Sequence, residues 1–261
     1  MTKAAHDLTG CGILVARAEH QAGPLCDRIA ALGGRPIPFP ALVILGPAEP
    51  EKVRAQLGQL AGYHIALFVS PNAVRFGLEF LGGRPWPTGV RVGAVGQGTA
   101  RRLRERGIEV ALVPQQGFDS EALLDLEELQ QVAGKRVLIL RGNGGRPLLG
   151  DSLRERGAAV DYVEVYRREC PRPDPTPLLA HWREQVQFVV TTSAEVLENL
   201  AAILGPKGVP LLAETPLVVI GERMAQRAAG LGMRRVMVAA AADDAAVIET
   251  IRRWRQEAHR A

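Results

Sequence analysis

Short apolar runs rich in β-branched residues alternate along the chain with longer stretches whose apolar positions recur every three or four residues, a pattern that predicts parallel α/β structure. The predicted strands cover 12–16, 64–69, 90–95, 109–113, 136–140, 159–165, 186–191, 216–220 and 235–239. Between 21 and 32, Leu25, Ile29 and Leu32 share one helical face, and Gly33-Gly34 then supplies a C-terminal stop. Residues 100–106 and 146–156 read the same way and end at Gly107 and Gly157. Two extended segments differ. Pro36, Pro38 and Pro40 punctuate the first, which can only be an edge strand or a connector. The second, 162–169, runs into Pro171, Pro173, Pro175 and Pro177. They flank the central block, so the expectation is a two-stranded antiparallel hinge, 37–43 against 163–168. One lobe would hold 1–36 and 169–261, the other 44–162. Such a ribbon bends easily, so mobile lobes are expected.

The chain also repeats itself. Arg17 and Arg141 stand 124 apart (141 − 17) within similar strands, Gly12 to Arg17 and Arg136 to Arg141. His64 to Ser70 has its echo in Gln187 to Ser193, and the turn around Gly96 has its echo around Gly221. Gly33 matches Gly157, and Gly107 matches Gly232. In-order matches at nearly one offset predict duplication of a whole α/β unit, with a ligand held between two similar lobes.

Composition narrows the class. At 261 residues, with 47% hydrophobic and 23% charged residues, the chain can build two ordinary globular domains. A net charge of +4 and only 5% aromatics suit an acidic small molecule better than nucleic acid. Cys11, Cys26 and Cys170 lack metal or redox spacing and are expected as free thiols, and the histidines at 6, 20, 64, 181 and 259 form no cluster. Residues 1–7 lack the apolar core of a signal peptide, and no run is expected to cross a bilayer. A soluble, cytoplasmic protein without metal or membrane partner is the expectation.

The candidate chemistry sits where strands end. The turn Gly96-Gln97-Gly98-Thr99 opens a helix and is either a tight βα turn or an anion contact. It lacks the spacing and downstream acid of a dinucleotide fingerprint. Arg141-Gly142-Asn143-Gly144-Gly145-Arg146 has no Gly-Lys-Ser/Thr and so does not support ATP hydrolysis. Arg17 and Arg141 can each form a structural salt bridge or grip a carboxylate, and their equivalence favours the carboxylate. Ser70 and Ser193 can cap the following helices; no His or acid marks either as a nucleophile. Tyr166 is an ordinary strand residue by pattern, and residues 101–106 read as a solvated face.

Taken in order, the first strand with Arg17, Val69-Ser70-Pro71-Asn72, Val95-Gly96-Gln97-Gly98-Thr99, Leu140-Arg141-Gly142, Val165-Tyr166-Arg167, Thr192-Ser193 and Ile220-Gly221 resemble the uroporphyrinogen-III synthase family from about 12 to 251. The resemblance implies two α/β lobes joined by a two-stranded ladder, with the active site in the cleft between them. It implies a cofactor-free cyclising lyase of tetrapyrrole biosynthesis whose substrate is hydroxymethylbilane, a linear polycarboxylate. Water would be lost to give an azafulvene, and a spiro intermediate would precede inversion of ring D. Tyr166 matches the family's hinge tyrosine, a candidate catalytic acid. Thr99 matches a cleft threonine, and Arg17, Ser70, Gly96, Arg141, Ser193 and Gly221 fall at candidate substrate-binding positions. A monomer in transient contact with the preceding pathway enzyme is expected. Three departures stand out: Ala16-Arg17-Ala18 for Thr-Arg-Pro, Met224 where a threonine is frequent, and Ala194 where proline is common. They keep open an alternative, a non-catalytic sensor or binding protein for a tetrapyrrole or another polycarboxylate.

Overall fold

The structure is a computed structural model that describes residues 8–117 and 119–258. Residues 1–7, read above for a leader, lie outside them with His6, as does His259. Ten strands occur in the described chain: β1 (Gly12–Val15), β2 (Arg35–Pro38), β3 (Val43–Leu45), β4 (Ile65–Phe68), β5 (Arg91–Ala94), β6 (Arg136–Gly142), β7 (Ala159–Glu169), β8 (Phe188–Val190), β9 (Leu217–Ile220) and β10 (Val236–Ala239). They form two five-stranded sheets, β10-β9-β8-β1-β2 and β3-β7-β6-β4-β5. The sheets belong to two compact units. One takes in the chain up to Val43 and again from Glu169; the other is Ile44–Arg168.

Pairing is parallel from β10 through β2 in one sheet and from β7 through β5 in the other. A parallel strand covered on both faces must be apolar throughout, and the central strands obey this. In the Ile44–Arg168 unit, Ile65 and Leu67 of β4 and Val137 and Ile139 of β6 enter one apolar cluster. Ala66 and Phe68, with Leu138 and Leu140, enter the cluster on the opposite face. In the other unit Ile13, Val15, Phe188, Val190 and Val218 share a core with Leu25 and Ile29 of the helix Glu19–Ala31.

Three expectations change. The proline-punctuated segment is not one hinge strand. Residues 35–38 form the edge of the first sheet as β2, whereas 43–45 lie beside β7 in the second. The register explains why prolines are tolerated in β2. The N–H groups of Arg35 and Phe39 donate to the carbonyls of Cys11 and Val15, so by alternation Pro36 and Pro38 take the positions whose N–H would face the open edge. Residues 163–166 likewise are no separate ribbon, since β7 pairs with β6 as far as Gly142 opposite Tyr166. Second, 109–113 supplies only a single bridge from Leu112 to Gly93, because Pro114 follows and cannot donate to a ladder. Third, one helix, Ala194–Glu214, is long and apolar enough by length and composition to cross a membrane, against the expectation. Its backbone breaks at Gly205, ahead of Pro206 and Pro210, and Val196, Leu197, Leu200, Leu204 and Leu212 are buried in the protein.

The repeats do not coincide with the units. β1 and β2 come from the first repeat but share a sheet with β8, β9 and β10 of the second. β4 and β5 come from the first repeat and share a sheet with β6 and β7 of the second. Aligning Arg17 with Arg141, Ser193 with Ser70 and Gly221 with Gly96 superposes the order β9-β8-β1-β2 on β5-β4-β6-β7. Each unit is therefore assembled from half of each repeat. The four matched glycines, Gly33, Gly107, Gly157 and Gly232, all adopt left-handed φ at helix ends, where their N–H groups close the last turn.

Candidate active site

Parallel α/β sheets place ligands beyond the carboxyl ends of their strands. At that end of the β3-β7-β6-β4-β5 sheet, the expected residues line up across four neighbouring strands: Tyr166 on β7, Arg141 on β6, Ser70 after β4, and Gly96 with Thr99 after β5. Arg17, Ser193 and Gly221 occupy the matching ends of β1, β8 and β9 in the other unit.

Tyr166 owes its position to a β-bulge. Arg141 pairs with Glu164, but Gly142 pairs with Tyr166, so Val165 is an extra residue in β7. Strict alternation would send Tyr166 to the face opposite Val163 and Val165. The bulge instead places all three in one apolar cluster. The ring stacks on Phe76, with centroids 5.9 Å apart and planes at 19°. Its edge lies against Gly142, where a Cβ would come within 2.5 Å of Cε2 and Cζ, so only glycine fits beneath it. The side chain is buried, and its hydroxyl lies 3.1 Å from Ser70 Oγ. Ser70 in turn is the N-cap of the helix Pro71–Leu81 and accepts the Ala73 N–H at 3.1 Å.

Ser70, Arg141 and Tyr166 line one cavity of about 240 Å³, with Asn143, Tyr162 and Arg168. Arg141, next to last in β6, donates from Nε to the Gly142 carbonyl, and its guanidinium carbon lies 4.9 Å from the Tyr162 ring centroid. Gly145, at φ +96°, leaves room for that guanidinium; a Cβ there would stand 2.8 Å from an Nη. Among the described residues no carboxylate pairs with Arg141, whereas Arg146 is held by both oxygens of Glu121. That bond keeps the Glu121 carboxyl below the usual range. The cavity thus combines a cation open to an anionic ligand with a phenol and a serine hydroxyl in contact with each other.

The remaining candidates fall elsewhere. Thr99 is buried in the first turn of the helix Gln97–Arg104, outside the cavity lining; its N–H and that of Ala100 both donate to the Gly96 carbonyl. Ser193 caps the helix Ala194–Glu214 through the Val196 N–H, as Ser70 does in its own unit. Gly221 needs its φ of +81° to open the next helix, whereas Gly96 at −155° is extended. Met224, at the place of Thr99, is buried. Arg17 takes the salt-bridge alternative stated above, gripping a carboxylate of the protein itself. It is buried, and Nη1 meets Asp244 Oδ1 at 2.5 Å. The sequence motifs carry no signal for Phe76 stacked on Tyr166 or for Gly142 beneath its ring. Gly142 followed Arg141 in a recognised motif, but nothing local announces that an aromatic ring rests on it.

Comparisons with known proteins identify the family. The family model described as uroporphyrinogen-III synthase HemD matches residues 24–249. The uroporphyrinogen-III synthase of Escherichia coli K12 is 35% identical over 244 residues, covering 92% of this chain and 99% of its own. That of Salmonella typhimurium LT2 is 36% identical over 245 residues, with the same coverage. Among solved structures, a mutant uroporphyrinogen III synthase from Thermus thermophilus shares the fold at a TM-score of 0.66 and 21% identity, over 95% of this chain and 99% of its own. The uroporphyrinogen-III synthetase of Helicobacter pylori 26695 gives a TM-score of 0.61 at 16% identity, over 92% and 97%. With a family model spanning most of its length and relatives above 30% identity along nearly all of it, the chain belongs to the uroporphyrinogen-III synthase family.

Proposed function

We propose that the protein cyclises hydroxymethylbilane to uroporphyrinogen III, a cofactor-free lyase reaction that inverts ring D and releases water. The observation that carries this reading is the Tyr166 hydroxyl, set against Ser70 in a cavity that also holds the guanidinium of Arg141, which no carboxylate among the described residues neutralises. The substrate's departing group is a hydroxyl, a poor leaving group unless protonated. Tyr166 donates its proton to that oxygen as the C–O bond breaks with its electron pair, so water departs and the pyrrole nitrogen lone pair forms the azafulvenium. The phenolate left on Tyr166 is stabilised by the Ser70 O–H and by the positive charge sharing its cavity. The substituted α-carbon of ring D then attacks the methylene carbon to give a spiro intermediate. Fragmentation and reclosure, with loss of one proton, complete the inverted ring.

Arg141 binds a carboxylate arm of the substrate in this scheme, and Ser193, Gly96, Thr99 and Gly221 are the positions offered to further arms. Much of the enzyme's work is then to hold one folded geometry against spontaneous closure. The test is to supply freshly generated hydroxymethylbilane, oxidise the products and separate the porphyrin isomers. Predominant type III is expected. Type I alone, as in an enzyme-free control, would overturn the proposal and leave a non-catalytic polycarboxylate-binding role, which Met224 in place of a hydroxyl side chain favours.

A further inference from the structure

The bulge that aims Tyr166 has to be held from its far side. Beyond Gly142 the regular β6–β7 ladder stops, yet three further bonds tie the chains together, all from one residue. The Asn143 N–H donates to the Tyr166 carbonyl at 3.1 Å. Its side-chain Oδ1 accepts the Arg168 N–H at 2.7 Å, and its Nδ2 donates to the Arg168 carbonyl at 3.3 Å. The carboxamide therefore imitates a peptide group. It engages both backbone groups of Arg168 as a neighbouring strand would, and so brackets Tyr166 between two fixed points. A bulge leaves its extra residue, here Val165, unpaired and disrupts the ladder around it. Here a side chain restores pairing to the strand just beyond it, at Arg168.

From this geometry we infer that Asn143 is a positioning residue for Tyr166: it clamps β7 just after the bulge and thereby keeps the phenol hydroxyl at Ser70 and facing the cavity. Asn143 itself lines the same cavity, next to Arg141. No shorter or apolar side chain reproduces both bonds, because Arg168 presents one donor and one acceptor and only a carboxamide matches the pair at this length. The inference rests on the proposed role of Tyr166 and adds a residue whose contribution passes through it.

The experiment is a double-mutant cycle on kcat with hydroxymethylbilane, using Asn143→Ala, Tyr166→Phe and the combined variant. Expected for Asn143→Ala is a kcat about tenfold lower with KM changed less than about threefold, the signature of a misplaced reacting group. In the Tyr166→Phe background the same substitution is expected to change kcat by less than about twofold. Equal losses in both backgrounds, or no loss in either, would overturn the inference, since a purely structural role lowers the amount of folded enzyme without depending on the phenol. If Tyr166→Phe itself retains full turnover, the role given to Tyr166 fails first and this inference with it. An impaired Tyr166→Phe with additive losses overturns the inference alone. Asn143→Ser, which keeps a shorter acceptor, serves in the same cycle should the alanine variant not fold.

Discussion

Arg17 and Arg141 are indistinguishable in the sequence, at matched strand ends of two repeats, and the structure gives them opposite situations. What separates them is Asp244, 227 residues from Arg17, a distance over which no local pattern can report. Removing Arg17 would leave a largely buried carboxylate without its cation. Arg17→Ala is therefore expected to lower stability by about 3 kcal/mol in a denaturant titration, and adding Asp244→Ala should return much of it. Arg141→Ala is expected to leave the melting temperature nearly unchanged and to raise KM about tenfold or more, since its charge has no internal carboxylate to abandon. The Gly142 position offers a second residue-scale test. A methyl group there would occupy the Tyr166 ring edge, so Gly142→Ala should lower kcat more than KM; full turnover in that variant would show that the ring can shift without consequence.

At the scale of elements, most of the architecture is legible in the sequence. Alternating strand and helix periods give nine strand positions their approximate places, and eight of them are strands; 109–113 fails because Pro114 closes it. The glycines at helix ends are legible because left-handed φ suits little else. The bulge in β7 is not, since nothing in Glu164-Val165-Tyr166 marks one residue as surplus; it exists only relative to β6. The two serine caps are legible as caps, but not the difference between them. Ser70→Ala and Ser193→Ala should each cost about 1 kcal/mol of stability. Ser70→Ala should in addition lower turnover per folded molecule, because its hydroxyl alone of the two meets Tyr166. Loss of turnover in Ser193→Ala beyond its loss of folded protein would place that hydroxyl at the substrate.

For the molecule as a whole, three acids favour the folded state below alkaline pH. Burial holds the Cys11 and Cys26 thiols above their ordinary range, and burial together with the bond to Asp161 does the same to the Tyr63 phenol. Each therefore keeps its proton more tightly folded than unfolded. Their contribution is complete below the unfolded pKa values, about 8.5 for the thiols and 10 for the phenol, and is lost as pH rises through the raised folded values. The melting temperature should fall above about pH 9, and Cys11→Ala with Tyr63→Phe should flatten that fall; an unchanged slope would show that other groups set it. Cys11 lies in one unit and Tyr63 in the other, so both should respond.

The division of each repeat between two sheets also governs how the chain can be made. Everything in the unit from Ile44 to Arg168 is contiguous, so that unit can close while the ribosome is still working. The other cannot. Ile13 of β1 must wait for Phe188 of β8, 175 residues later, which at ordinary elongation rates is on the order of ten to thirty seconds. During that interval a wholly apolar strand, Gly12–Val15, stands without its central partner on a chain whose other unit is free to fold. Vectorial synthesis thus lets the Tyr166 half of the enzyme form first and leaves β1 open to misassociation until β8 has been made.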